Sequence, residues 1–182
     1  MTSVKIENVV ATSSLETKLD LEEATVVLNG SEYDPEVFPG LIFRMTDPKT
    51  SILLFRTGKI VCTGGKTVED ARAGVNKVKT LLNKGGIETV KDIEVTVQNI
   101  VATYSLEEDL NLNTVAMVLG LERVEYEPEQ FPGLVYRVKD SCAVLLLFGT
   151  GKMVCTGAKN VEDLEEAVDY TKEELRRAGI IH

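Results

Sequence analysis

The sequence predicts an α+β chain made of two pseudosymmetric copies of one antiparallel unit, and three observations carry that prediction. The stretch SILLFRTGKIVCTGGK, Ser51–Lys66, recurs as VLLLFGTGKMVCTGAK, Val144–Lys159; over Pro48–Lys66 and Ser141–Lys159 eleven of nineteen positions agree. ENVVAT (Glu7–Thr12) recurs 91 residues on as QNIVAT (Gln98–Thr103), and YDPEVFPGLIFR (Tyr33–Arg44) recurs 93 on as YEPEQFPGLVYR (Tyr126–Arg137). The second copy therefore holds two extra residues near Leu121–Val124. Each copy also mixes apolar runs at strand spacing with a long stripe at helical spacing. Two copies of about 90 residues are too few and too long for a solenoid, and a pseudo-twofold pair fits them better.

The elements follow in order. VKIENVVA alternates loosely and reads as a strand. In LDLEEATVVL, Leu19–Leu28, Leu21, Ala24, Val27 and Leu28 share one helical face, and Gly30 ends that helix. Pro35 and Pro39-Gly40 punctuate a loop before the strand LIFRM. The opening stretch then folds as a hairpin about Thr-Gly-Lys. A long helix closes each copy, capped by Thr67 and by Asn160, with Glu69-Asp70 and Glu162-Asp163 in the first turns, where acids suit the helix dipole. Val68, Ala71, Val75, Val78 and Leu82 form its buried stripe, as do Val161, Leu164, Val168 and Leu175 later; Gly85-Gly86 and Gly179 stop the helices. Each copy thus reads as strand, short helix, four strands, long helix. The copies run about Ser3–Ile87 and Asp92–Ile180, joined by Glu88–Lys91, which divides the chain into repeats 1–90 and 91–182.

Composition narrows the function. Hydrophobic content of 43% argues for a folded core. No apolar run approaches the ~20 residues of a membrane span, and Met1–Lys18 lacks the basic start and apolar block of a secretory signal. The odd set Cys62, Cys142 and Cys155 has no CxxC pairing, so the thiols read as small buried apolar residues in a reducing, cytoplasmic compartment. A single histidine, His182, with no GxGxxG, P-loop or Cys/His metal spacing, leaves no visible enzyme site, metal site or cofactor site. Acid pairs such as Glu22-Glu23 and Glu165-Glu166 read as solvated helix faces.

Net charge is −9, yet the charges are segregated. Lys49, Arg56, Lys59 and Lys66 fall in a stretch with no carboxylate, and Lys152 and Lys159 do so in the second copy. Since screening limits reach to roughly 8–10 Å, a basic band on an acidic body is what a nearby ligand feels.

Strand alternation separates two faces. Leu41, Phe43, Met45, Ile52, Leu54, Ile60 and Cys62 suit packing under helices. The opposite face takes Ile42, Arg44, Leu53, Phe55, Lys59, Val61 and Thr63 with Asn8 and Val10, and the second copy repeats it with Val135, Arg137, Leu146, Phe148, Lys152, Val154, Thr156, Asn99 and Val101. Two helical segments per copy cover one side only, so an apolar face remains, with no long acidic side chain on it. Such a face marks a binding surface. The minor groove of A·T-rich duplex suits it: short Asn and Thr meet weak-contrast acceptors, basic margins meet phosphate, and apolar wedges open base steps. Phe55 and Phe148 on strands, and Phe38 and Phe131 before Pro-Gly, are the wedge candidates. Packing within the chain, or a homodimer formed through this face without DNA, would satisfy the same pattern; a purely protein-binding module using Tyr33 and Tyr126 is the other rival.

NVVAT…YDPEVFPGLIFR…LLFRTGKIVCTGGK, with its second copy, resembles the TATA-box-binding protein family in its short archaeal form, over essentially the whole chain. The resemblance implies one curved antiparallel sheet, a saddle, with helices on the convex side. It implies a general transcription initiation factor that bends TATA DNA and recruits transcription factor B and, indirectly, RNA polymerase. The family is a standard example of minor-groove kinking. By resemblance, Phe38 with Phe55 and Phe131 with Phe148 insert into DNA. Asn8, Asn99, Thr63 and Thr156 hydrogen-bond the groove centre, and Val10, Leu53, Val61, Val101, Leu146 and Val154 make apolar contacts. Arg44, Lys59, Lys66, Arg137, Lys152 and Lys159 meet phosphate or sugar, and Glu127 and Glu129 dock transcription factor B. The chain departs from the family pattern at Thr57 and Thr150, where Ser is usual, at Gly65 for Ala, and at Ser141-Cys142 for Pro-Lys.

Overall fold

Hydrogen-bonded hairpins and two long amphipathic helices build the structure, a computed structural model that describes residues 2–90 and 92–182. Met1 and Lys91, the first residues of the two expected repeats and, for Lys91, the last of the expected link, lie outside the described residues. The described residues divide into two compact units, one of Asn8–Gln98 and one of Asn99–His182 with the N-terminal residues as far as Glu7.

The Asn8–Gln98 unit takes most of strand β1 (Lys5–Ser14), then helix α1 (Leu21–Val27), strands β2 (Leu41–Thr46), β3 (Lys49–Leu54) and β4 (Lys59–Gly65), and helix α2 (Val68–Lys84). Its sheet order is β2-β3-β4-β1, all antiparallel. The other unit takes most of β5 (Thr96–Ser105), then α3 (Leu112–Leu119), β6 (Val124–Glu125), β7 (Leu134–Arg137), β8 (Val144–Leu147), β9 (Lys152–Ala158) and α4 (Val161–Arg177), in the order β5-β9-β8-β7-β6.

The helix caps act as read, while Val68 and Val161, expected in the buried stripes, are only half-buried. Thr67 accepts a bond from the Asp70 N–H at 3.0 Å and Asn160 from the Asp163 N–H at 2.8 Å, each supplying a partner for an otherwise orphaned donor. Ala71, Val75, Val78 and Leu82 of α2 are buried, as are Leu164, Val168 and Leu175 of α4. The α2 stripe covers the sheet face of Leu41, Phe43, Met45, Ile52, Leu54, Ile60 and Cys62 in its own unit, all buried, and α4 packs on β9 in the other.

Two expectations need correction. Four strands were expected after the short helix in each copy, but the first copy has three and only a single bridge, Glu32↔Ile42, where the second has β6. Val124 pairs with Tyr136 in the second copy; the matching position in the first is Ser31, which lacks a branched side chain to pack and whose buried Oγ has no partner. The thiols also differ. Cys62 and Cys155 are buried, and burial pushes them up to about 11 and about 12, but Cys142 is exposed, because it lies in the turn between β7 and β8 rather than in a strand. No helix among the described residues is long and apolar enough to cross a membrane.

Candidate nucleic-acid interface

Register builds the open face row by row. In the Asn8–Gln98 unit, Ile42, Leu53, Val61 and Thr12 stand side by side across four strands, with Arg44, Ser51 and Thr63 forming the next row. In the other unit Val135, Leu146, Val154 and Thr103 repeat the first row, and Arg137, Val144 and Thr156 the second. Every one of these residues is partly or fully exposed, as are Val10 and Val101, whereas most of their chain neighbours within the central strands are buried. The face is therefore apolar and open in each unit. Thr12 and Thr103 belong to it although sequence reasoning passed over them; their two-residue spacing from Val10 and Val101 was the available signal.

Asn8 and Asn99 are held in one orientation. The Gly64 N–H donates to Asn8 Oδ1 at 2.6 Å and the Gly157 N–H to Asn99 Oδ1 at 2.8 Å. That fixes which end of each amide is the oxygen. Nδ2 then lies 3.0 Å from Thr63 Oγ1 in one unit and 2.9 Å from Thr156 Oγ1 in the other. A side-chain amide nitrogen carries two hydrogens, so one donor stays available on the open face beside each threonine. The floor of an A·T minor groove offers only acceptors, which is the complement such a donor needs.

The four candidate wedges form two pairs. Phe38 and Phe55 have ring centroids 5.9 Å apart at 64°, and Phe131 and Phe148 have 5.9 Å and 70°, both edge-to-face. Phe55 and Phe148 were expected on strands; each is the first residue past one, β3 or β8. There it closes a tight turn, with the Phe55 N–H bonded to Lys59 O and the Phe148 N–H to Lys152 O, both at 3.0 Å. The turn takes over because Gly58 and Gly151 adopt positive φ and sit against the Thr17 and Glu108 carbonyls, where no Cβ fits. Phe38 and Phe131 are set by one-turn loops whose amides donate to Asp34 O at 2.9 Å and Glu127 O at 3.0 Å. Gly40 and Gly133, also missed from sequence, make room for the pairs: a Cβ on Gly40 would lie 2.8 Å from the Phe38 ring, and one on Gly133 would lie 2.6 Å from that of Phe131. None of the four rings is buried, and Phe131 is 41% exposed.

The charged residues are less simple than the sequence suggested. Lys59 and Lys152 open β4 and β9, Lys66 and Lys159 follow them, and all four are exposed. Arg44 is paired with Glu32 at 3.1 Å and Arg137 with Glu125 at 2.9 Å, so each must trade a carboxylate to meet phosphate. Arg56, counted in the basic band, is bonded to Glu22. Glu7 corrects the expectation of no long acidic side chain on the face. Its carboxylate accepts from the Thr103 hydroxyl at 3.4 Å and pairs with Lys5 at 3.6 Å. Glu127 and Glu129 are exposed in the loop before Phe131. Among the described residues no group of three or more His, Cys, Asp or Glu is arranged to hold a metal.

Fold and face together define a class: a two-repeat α+β chain in which each unit has an open apolar sheet face, a fixed amide donor and one ring pair. The family model described as transcription factor TFIID, or TATA-binding protein, matches residues 3–85 and 94–178. The chain belongs to that family. It is 54% identical to the TATA-box-binding protein of Thermoplasma volcanium over 98% of this chain and 97% of that one. It is 51% identical to that of Archaeoglobus fulgidus over 98% and 97%. The solved structure of Methanococcus jannaschii TBP superposes with a TM-score of 0.87 at 43% identity, covering 97% of this chain and 99% of that one. A likeness of that extent shows the expected fold class, two α+β repeats on one antiparallel sheet.

Proposed function

We propose that this chain is a general transcription initiation factor that binds A·T-rich, TATA-containing duplex in the minor groove and bends it. Repeats 1–90 and 91–182 act together as one DNA-binding domain, each supplying one ring pair and one Asn–Thr pair. The rings of Phe38, Phe55, Phe131 and Phe148 enter base steps. Val10, Leu53, Val61, Val101, Leu146 and Val154 pack on the opened groove, and Asn8, Thr63, Asn99 and Thr156 reach its acceptors. Arg44, Lys59, Lys66, Arg137, Lys152 and Lys159 meet phosphate and sugar, which sets register without reading sequence. Glu127 and Glu129 dock transcription factor B, through which RNA polymerase is recruited. The chain works by binding and not by catalysis.

The observation that carries this reading is the open apolar face itself, present in both units, with its amide oxygens occupied and a nitrogen donor left beside each threonine. The names of the relatives agree with it. The test is equilibrium binding to a TATA duplex against a scrambled G·C-rich one, across a salt series. The proposal expects a clear preference for TATA at every salt concentration. Equal affinity for the two duplexes would sink it.

A further inference from the structure

The two ring pairs are braced differently. In the Asn8–Gln98 unit, Arg56 directly follows Phe55, and its Nη2 donates to Glu22 Oε1 on α1 and to the Tyr33 hydroxyl, each at 2.9 Å. The guanidinium carbon also lies 5.8 Å from the Tyr33 ring centroid. Tyr33 belongs to the segment that leads into Phe38, so one side chain ties the turn carrying Phe55, the helix before it and the loop carrying Phe38. In the second copy the matching positions are Gly149, Asn113 and Tyr126. No arginine is there to make the tie, and among the described residues no side chain bonds the Tyr126 hydroxyl. The loop ring it would steady, Phe131, is 41% exposed, while Phe38 is half-buried.

We infer that Arg56 is a positioning residue that holds Phe38 and Phe55 ready for insertion, leaving Phe131 and Phe148 as the looser pair. Resting on the minor-groove reading proposed above, this makes the two ends of a bound site unequal. The Phe38–Phe55 end engages preformed rings, and the Phe131–Phe148 end must order its rings as it engages.

Matched bonds make the comparison fair, since the Phe38 and Phe131 amides donate to equivalent loop carbonyls at 2.9 and 3.0 Å. Amide hydrogen exchange on the free protein reads both. The expected protection factor of Phe38 exceeds that of Phe131 by roughly three- to tenfold, the range that one or two exposed charged hydrogen bonds supply. Arg56→Gly should erase the difference, and Arg56→Lys, which keeps charge but not the fork, should erase most of it. The paired change Asn113→Glu with Gly149→Arg should raise protection at Phe131; a Cβ at Gly149 meets nothing nearer than the Leu110 carbonyl at 3.8 Å, so the fold accommodates it. On a TATA duplex carrying 2-aminopurine at one end or the other, Arg56→Gly should slow unstacking at one end only. Equal protection in the unaltered protein, or no effect of Arg56→Gly on Phe38, overturns the inference. If the exchange pattern appears but the duplex is bound no better than a G·C-rich one, the minor-groove reading is what fails.

Discussion

Asn8 and Asn99 show how much of this surface is decided by single atoms. A glycine N–H claims the oxygen of each amide, which sets the nitrogen beside the threonine hydroxyl with a hydrogen to spare. The residue types and the duplication were legible in sequence, but this orientation was not, because it depends on backbone donors that the bulged strands bring within reach. Glu7 was misread because strict alternation kept it off the face that carries Asn8 and Val10, whereas its carboxylate accepts from the Thr103 hydroxyl. Its carboxylate at the open face opposes a polyanion, so Glu7→Gln should tighten binding to a TATA duplex roughly three- to tenfold at low salt. The gain should shrink as salt screens it. Unchanged or weaker affinity at low salt would contradict that placement. The thiols give a test independent of DNA. At pH 8 a disulfide reagent should titrate one thiol per native chain, Cys142, and three after unfolding. Burial raises Cys62 to about 11 and Cys155 to about 12, so both stay protonated in the fold. Their contribution to stability is complete below the thiol's ordinary value near ~8.5 and declines as pH rises through the folded values. Denaturation midpoints should fall above about pH 9 more steeply in the native sequence than in a Cys62→Ala, Cys155→Ala variant.

At the scale of elements, the long helices were legible almost to the residue, because a cap, acids in the first turn and a terminal glycine all mark the same boundaries. Thr67→Ala removes the acceptor for the Asp70 N–H and should cost about 1 kcal/mol of stability. Because α2 packs on the buried face of its sheet, that loss should leave TATA affinity unchanged. A denaturant titration beside a binding curve separates the two, and a matching drop in affinity would mean the helix supports the open face directly. Strand boundaries were less legible. Phe55 and Phe148 continue the apolar run, and only the turn hydrogen bonds to Lys59 and Lys152 show that the ladder has already ended. The missing fourth strand of the first copy falls where Ser31 stands in place of Val124 and where the second copy carries two extra residues.

For the whole molecule, the repeat was the most legible feature, since two copies that agree over long ordered segments constrain each other's folds. The duplication also predicted which face stays open, because one long helix per copy covers one side of a sheet and leaves the other. What it could not foretell was departure from symmetry, and Arg56 against Gly149 and Glu7 against Gln98 are where the copies part. The account depends on four unburied rings acting on DNA rather than filling a core. Fluorescence energy transfer between dyes at the two ends of a short TATA duplex measures this directly, with unaltered protein compared with Phe148→Ala and Phe55→Ala. The account predicts a marked shortening of the end-to-end distance by the unaltered protein, and weaker shortening by each variant with its denaturation midpoint nearly unchanged. Variants that unfold, or that bend the duplex as fully as the unaltered protein, would show that the rings serve the fold instead.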